Sequence, residues 1–133
     1  MKKLLVICFV SIILLSLTSC GEQSYDFKKP IEEIERIEII SAKNRDEVYL
    51  IKTLSKDEQS DFIKKFQEIK FNSYVIGDPM SVSGNAVKIT YQNGDYEIIC
   101  YRCAEYIKDQ EIYFLGKHCS EEEFNALIDE FKR

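Results

Sequence analysis

The sequence contains one histidine, His118, and lacks the short motifs that mark several large classes of enzyme. It has no H-E-x-x-H metal-binding motif, no G-x-S-x-G nucleophile motif and no glycine-rich loop for binding phosphate. Its clustered acidic residues, at positions 32, 33, 35, 38 and 121–123, are typical of solvated faces and of a helix N-terminus. The sequence therefore favours a protein without catalytic residues, without a metal site and without a non-covalent cofactor.

Basic residues are in the minority in this chain. It has 18 Lys and Arg residues against 23 Asp and Glu residues, which gives a formal net charge of −5. Binding of nucleic acid through release of counterions requires clustered Lys and Arg residues. An acidic chain does not provide this, so we exclude nucleic acid as a partner.

The longest predominantly apolar run is also short. It extends from Leu4 to Leu17, which is 14 residues, whereas a helix that crosses a bilayer needs roughly 17–25. Two lysines precede the run, small residues end it, and no cluster of Lys or Arg follows. This layout is typical of a cleaved secretory signal peptide rather than of a transmembrane helix.

The end of this run has a further pattern. Leu17-Thr18-Ser19-Cys20 resembles the lipobox of bacterial lipoprotein precursors, in which an aliphatic residue and two small residues precede a cysteine. The resemblance implies that residues 1–19 are removed and that the sulfur of Cys20 receives a diacylglyceryl group. It also implies a protein anchored to the cell membrane at its extracytoplasmic face. Two acyl chains of the palmitate type suffice for stable anchoring, whereas one does not.

The predicted anchor divides the chain into three parts. Residues 1–19 are the signal peptide, residues 20–30 are the lipid anchor with a flexible tether, and residues 31–133 are a single domain. The signal peptide carries two of the basic residues and none of the acidic ones, so the remaining chain has a side-chain balance of −7. Such a domain is not held to anionic headgroups by charge, and the lipid must hold it there.

The domain is predicted to be α+β, with a small antiparallel sheet, the element order ββαβββα and two amphipathic helices on one face of the sheet. Ser55 and Ser120 each begin a helix-capping pattern ahead of an apolar stripe. Residues 31–40 fit either a helical or a strand spacing, and we favour the strand because a turn and a β partner follow. The first predicted strand ends near Ile40. The other four cover residues 48–54, 86–92, 95–107 and 111–119.

Two predicted turns set the register of the last three strands. A two-residue turn at Asn93-Gly94 and a symmetric turn at residues 109–110 together place Cys100 opposite Cys119 on the core face. A disulfide can persist outside the cytoplasm, so we predict a Cys100–Cys119 disulfide. Two buried thiols, or a bridge between Cys103 and Cys119, remain as alternatives.

Cys103 is left over in this register. Together with Cys100 it forms a C-x-x-C motif, and with His118 and Cys119 the set resembles a zinc site. However, the motif lies in a predicted strand, where residues three apart point to opposite faces. We therefore expect Cys103 to be an inert thiol and His118 to pack against Tyr101 on the outer face.

The sequence predicts a membrane-anchored, non-catalytic interaction domain for an unknown protein partner. Eight tyrosines follow the signal peptide, and tyrosine suits protein interfaces. We predict the interaction surface at the outward-facing Ile99, Tyr101 and Phe114 and at the loop 77–85. The alternative is a thiol-dependent redox or metal-binding factor that uses Cys103 and His118, with Tyr101 beside them.

Overall fold

The computed structural model describes residues 22–74 and 81–133. The predicted signal peptide, the lipobox and Cys20 lie outside the described residues, as do positions 77–80 of the predicted loop. Within the described residues the domain is α+β, with two helices and nine strands that pair antiparallel. None of the helices in those residues is long and apolar enough to cross a membrane.

The strands form two sheets. Six strands make the larger sheet, in the order β3-β2-β5-β6-β7-β8, and three short strands make the smaller one, in the order β1-β4-β9. The elements in chain order are β1 (Gln23–Ser24), a 3-10 turn (Ile31–Glu33), β2 (Ile34–Asn44), β3 (Glu47–Thr53), α1 (Lys56–Glu68), β4 (Lys70–Ser73), β5 (Gly84–Tyr91), β6 (Tyr96–Ile99), β7 (Ala104–Lys108), β8 (Glu111–Leu115), β9 (Lys117–His118) and α2 (Glu121–Phe131).

The predicted α+β class is confirmed, but the predicted order ββαβββα with one small sheet is wrong in detail. The predicted strand 95–107 is two strands, β6 and β7, and the predicted strand 111–119 is divided at Gly116 into β8 and β9. The chain also contains β1 and β4, which the sequence pattern does not indicate. Apolar residues flank Arg102 on both sides of the first break, so periodicity alone does not reveal that division, whereas Gly116 interrupts the apolar run at the second.

Both helices begin where the capping pattern predicts. The Ser55 hydroxyl accepts a hydrogen bond from the backbone N–H of Glu58 at 3.3 Å, and the Glu58 carboxylate accepts one from the backbone N–H of Ser55 at 3.2 Å. The Ser120 hydroxyl accepts from the backbone N–H of Glu123 at 3.3 Å. These bonds satisfy donors that the first turn of a helix leaves without partners, and so fix both start points.

The main core lies between the helices and one face of the larger sheet. Side chains of both helices pack in a single cluster with Ile37 and Ile39 of β2 and with Val87 and Ile89 of β5. Ile37 pairs with Ile89, and Ile39 pairs with Val87, so alternate residues of both strands share this face. The helix residues in the cluster are Phe62, Phe66, Phe124, Leu127, Ile128 and Phe131.

A second, smaller cluster lies on the other face of the larger sheet, and we call it the second core. Within the described residues it contains no helix residue. It is formed by Ile40, Val82, Ala86, Ile98, Cys100 and Cys103, with Val48 and Tyr96 packed against it. Because side chains alternate along β6, Ile98 belongs to the second core whereas Ile99 belongs to the main core.

The register between β7 and β8 is the predicted one. Ala104 pairs with Leu115 and Tyr106 pairs with Tyr113. Asp109 and Gln110 form the connection, with φ of 51° and 66°. Positive φ at both positions is what a two-residue turn needs to match the right-handed twist of its strands.

The register between β5 and β6 differs by one residue from the prediction. Val87 pairs with Ile99 rather than with Cys100. The turn has three residues, because the backbone N–H of Tyr91 donates to the carbonyl of Asp95 at 2.8 Å, and Gly94 alone has positive φ, at 94°. The Asn93 side chain accepts from the backbone N–H of Asp95 at 3.0 Å, which stabilises this longer turn. A shift of one residue exchanges the two faces of β6.

The predicted tether over residues 20–30 is wrong from residue 23 onward. Gln23 and Ser24 pair with β4, and Tyr25 is only 3% exposed. The Tyr25 ring packs against Phe66 and Phe71, with centroid distances of 5.5 and 5.1 Å. The domain therefore begins near residue 23 rather than at residue 31.

The buried carboxylate of Glu97 holds this N-terminal segment. It lies in β6 with no exposed surface. It accepts hydrogen bonds from the Tyr25 hydroxyl at 2.6 Å, from the backbone N–H of Lys28 at 3.1 Å and from the Tyr91 hydroxyl. A buried carboxylate is tolerated only with such donors, so Glu97 and the segment stabilise each other.

This arrangement predicts a loss of stability at alkaline pH. Burial and the neighbouring Glu97 raise the pKa of Tyr25 and of Tyr91 above the ordinary tyrosine value of about 10. The folded state therefore favours neutral phenols, and its stability is complete below about pH 10 and falls above it as the unfolded chain ionises. Denaturant unfolding at about pH 8 and about pH 11 measures the loss. The variant Tyr25→Phe should show a smaller difference between the two pH values, and an equal difference would contradict the assignment.

Candidate functional site

The chain reverses direction at the C-x-x-C motif. The backbone N–H of Cys100 donates to the carbonyl of Cys103 at 3.0 Å, and Ile99 pairs with Ala104 across the turn. Tyr101 and Arg102 form the loop, and neither has positive φ. The prediction that this motif lies within one strand is therefore wrong, and no glycine or asparagine marks the turn because its backbone needs none.

The turn brings the two thiols together. The Sγ atoms of Cys100 and Cys103 are 3.6 Å apart, and Cys100 Sγ is 3.2 Å from the Cys103 carbonyl oxygen. Cys100 is completely buried and Cys103 is 3% exposed. Residues three apart in one strand would point to opposite faces and keep the two sulfurs apart. The turn removes this obstacle, because Cys100 and Cys103 lie on either side of it.

The predicted Cys100–Cys119 disulfide is not formed. Cys100 and Cys119 lie in different clusters, the first in the second core and the other in the main core. Two differences from the predicted register separate them. β6 ends at Ile99, and the segment before Cys119 pairs with β4 rather than with β7.

The two thiols of the turn differ electrostatically. The hydrogen bond from Cys103, together with backbone N–H groups, lowers the pKa of the Cys100 thiol to about 6 in spite of its burial. The same hydrogen bond, then burial, raise the pKa of the Cys103 thiol. Cys100 is therefore the more acidic of the two thiols of the turn, and when protonated it donates to the Cys103 carbonyl oxygen. Burial raises the pKa of the Cys119 thiol to about 12.

A buried carboxylate lies on the same face of the sheet as these thiols. Glu105 follows Cys103 by two residues in β7 and has no exposed surface. Its Oε1 accepts a hydrogen bond from Arg45 Nη1 at 3.4 Å, and its Oε2 has no hydrogen-bond partner among the described residues. Burial raises the pKa of Glu105, the charge of Arg45 opposes this, and electrostatic repulsion from Cys100 in its ionised form adds to it.

His118 and Tyr101 are placed differently from the prediction. The His118 side chain is exposed at β9, and its ring lies 5.6 Å from the ring of Tyr74. The Tyr74 hydroxyl donates to the Arg102 carbonyl at 2.9 Å. Tyr101 is half-buried against the main core instead of lying under His118. Among the described residues there is no group of three or more side chains placed to hold a metal ion.

The predicted interaction surface at Ile99, Tyr101 and Phe114 is wrong in part. Ile99 has no exposed surface and faces the helices, because the register of β6 differs by one residue from the prediction. Phe114 is half-buried and lines a cleft of about 390 Å³ together with Tyr113. These side chains do not form an outward apolar patch.

Among the described residues, three consecutive exposed apolar side chains lie instead on β3, at one edge of the larger sheet, and the other exposed large apolar side chains are those of Ile31 and Tyr113. Tyr49, Leu50 and Ile51 are 63%, 59% and 41% exposed. Within the described residues β3 pairs only with β2. The pairing shifts between Ile39 and Ile40, so that Ile51 is an extra residue in β3. The sequence stretch V-Y-L-I indicates this exposed edge, because it lacks the alternation of apolar and polar residues that a strand with one buried face shows.

Comparison of the chain with protein-family models, with curated proteins and with solved structures found no match. The function is therefore argued from the chain's own residues. Two features of the described residues stand out, the exposed strand β3 and the buried pair Cys100 and Cys103.

Proposed function

We propose that this protein is a lipoprotein, anchored through diacylglycerol on Cys20 to the extracytoplasmic face of the cell membrane, and that its domain binds another protein. The anchor rests on the sequence from Met1 to Cys20. The binding role rests on one structural observation, which is the exposed apolar edge strand β3. No catalytic step is part of the proposal.

An edge strand presents backbone N–H and C=O groups that a further strand can pair with. Proteins usually protect such edges with proline, with charges or with a covering segment. Here the centre of β3 carries three consecutive apolar side chains and no charge, and charged residues occur only near its ends, at Glu47 and Lys52. This pattern favours binding of an extended peptide segment that adds a strand to the sheet.

The position of the anchor restricts the partner. Only residues 21 and 22 separate Cys20 from β1, and three residue steps span at most about 10 Å. The lipid would therefore hold the domain directly against the bilayer. We infer that the partner is another membrane-associated protein, which offers an extended segment with alternating apolar side chains to β3.

The alternative function, a redox or metal-binding factor that uses Cys103 and His118, has less support. Cys103 is buried and hydrogen-bonded to Cys100, whereas His118 is exposed and packs against Tyr74. A nucleophile and its base must lie within hydrogen-bonding reach of each other. We therefore do not propose this pair as a catalytic site.

The substitution Leu50→Lys tests the binding role of β3. It places a charge at the centre of the edge, and we expect the amount of partner bound in membranes to fall at least about 30-fold, which is the loss of one interface hot spot. Tyr113→Lys is the matched control, since Tyr113 is 45% exposed on β8, the opposite edge. Both positions are exposed, so neither substitution should change stability by more than about 0.5 kcal/mol.

Quantitative cross-linking in membranes, followed by affinity isolation of this protein, measures the bound partner. The proposal predicts that the wild type and Tyr113→Lys retain the same partner and that Leu50→Lys loses it. Equal capture by all three would contradict it. Cross-links between two copies of this chain through β3 would also contradict it, because β3 would then be a dimer interface.

A further inference from the structure

We propose that Cys100 and Cys103 are a dithiol that closes to a disulfide, and that Glu105 accepts the proton that Cys103 releases. The inference is independent of the binding role of β3. It rests on the turn geometry, on the burial of the three side chains and on the Glu105 oxygen that has no hydrogen-bond partner among the described residues.

The backbone already has the geometry that a bridge needs. Cys100 and Cys103 face each other across a two-residue loop, joined by the 3.0 Å backbone hydrogen bond. Opposed residues of this kind have Cα atoms about 5.5 Å apart, which lies inside the range found for disulfides. The Sγ atoms are 3.6 Å apart, and a disulfide needs about 2.05 Å. Rotation of the side chains covers this difference without a change of strand pairing.

The alternative partner, Cys119, is placed less well. It belongs to the main core, whereas Cys100 and Cys103 belong to the second core. The sheet itself separates the two clusters, since Ile99 and Cys100 point to opposite faces. The backbone N–H of Cys119 donates to the Tyr101 carbonyl at 2.8 Å. A bridge to Cys119 nevertheless requires a side chain to move from one cluster to the other, and a bridge between Cys100 and Cys103 does not.

The oxidant is a small disulfide, RS–SR. The Cys100 thiolate attacks one sulfur, the S–S bond breaks, and the first RS⁻ leaves with the electron pair. Cys103 then gives its proton to Glu105, and its thiolate attacks Cys100 Sγ, which forms the new disulfide and expels the second RS⁻. Glu105 then releases the Cys103 proton, and solvent returns the proton that Cys100 lost when it formed its thiolate, so that the two RS⁻ become two RSH. The two cysteines lose two electrons and two protons in total. Burial restricts the reaction to small oxidants or to moments when the turn opens.

Glu105 is suited to accept this proton. It lies on the face of the thiols, and Arg45 occupies only one of its two oxygens. Protonation removes a buried negative charge, which lowers the cost of keeping the carboxyl group away from water. Burial raises the pKa of Glu105, which brings it closer to that of a general base at neutral pH.

Tryptic mapping of the full chain tests the disulfide directly, because Arg102 lies between the two cysteines. Full cleavage places Cys100 in the peptide 89–102, Cys103 in 103–108 and Cys119 in 118–132. After the protein is equilibrated with oxidised glutathione, it is denatured and its remaining thiols are alkylated. We then expect 89–102 to be linked to 103–108 and 118–132 to be alkylated. A link to 118–132, or alkylation of all three peptides, would overturn the proposal. Cys119→Ser should leave the link intact.

The role of Glu105 is tested by the rate of closure. We expect Glu105→Gln to slow closure by about 100-fold near neutral pH, the lower end of what a general base contributes, and Glu105→Asp to restore part of the rate. Continued protection of Cys119 from alkylation shows that each variant is folded. If Glu105→Gln does not fold, the rate of closure in Glu105→Asp tests the role of Glu105, because the shorter side chain should slow closure. A wild-type rate in either folded variant would remove Glu105 from the proposal.

Discussion

Deleting residues 1–30 is expected to unfold the domain, whereas deleting residues 1–22 is expected to leave its free energy of unfolding unchanged. The longer deletion removes Tyr25, which is 3% exposed and packs against Phe66 and Phe71. It also removes two of the three donors that hydrogen-bond to Glu97. The shorter deletion stops before β1 and removes none of these contacts.

The expected size of the effect follows from two costs. Loss of a large buried aromatic side chain costs about 3–5 kcal/mol. A buried charged group that loses its donors adds roughly 1–3 kcal/mol or more. Small domains have a total stability of about 5–15 kcal/mol, so the longer deletion removes most or all of it. Denaturant unfolding of the two shortened proteins measures the difference, and equal midpoints would show that residues 23–30 are a tether after all.

The second large effect is expected at Cys20. Cys20→Ser should move the protein from the membrane fraction to the soluble fraction, because it removes the proposed attachment point of the lipid. Nothing in the composition offers a replacement, since the chain after residue 19 has a side-chain balance of −7. Quantitative fractionation of cells that express the wild type and the variant measures the change.

Cys8→Ser is the matched control for this experiment. Cys8 lies within the predicted signal peptide, so its replacement should leave the anchored product unchanged. The wild-type product should begin at Cys20 and carry the mass of a diacylglyceryl group. Retention of Cys20→Ser in the membrane fraction after washing at high salt would contradict the lipid anchor.

The helices could be predicted because their signals are local. A capping serine and an apolar stripe lie within one short segment, and both Ser55 and Ser120 make the expected hydrogen bonds. The β7–β8 register could be predicted for the same reason. Its turn at Asp109 and Gln110 has the two-residue length that the flanking apolar residues indicate.

The position of the Cys100 and Cys103 pair could not be predicted, because it depends on a shift of one residue in the pairing of β5 with β6. Asn93-Gly94 is the usual signal of a two-residue turn, but the Asn93 side chain here stabilises a three-residue turn. That one residue moves Ile99 from the outer face to the main core and moves Cys100 to the second core. The turn at Cys100 and Cys103 then has no glycine to reveal it.

The packing of residues 23–30 depends on Glu97, which lies far away in the sequence. Residues 21–30 are mostly polar, and only Tyr25 and Phe27 are apolar aromatics. The buried Tyr25 hydroxyl donates a hydrogen bond to Glu97, which lies 72 residues further along the chain. A pairing of this kind leaves no periodic signal in the sequence, so the segment reads as a tether.

Site-specific photo-cross-linking tests the proposed binding role of β3 most directly. A benzophenone side chain is placed at Leu50 on β3 or at Tyr113 on β8, and intact cells are irradiated. The proposal predicts a cross-link from position 50 to one other membrane-associated protein, and no cross-link to that protein from position 113. Cross-linking to the same protein from both positions, or from position 113 alone, would contradict the assignment of β3 as the binding edge.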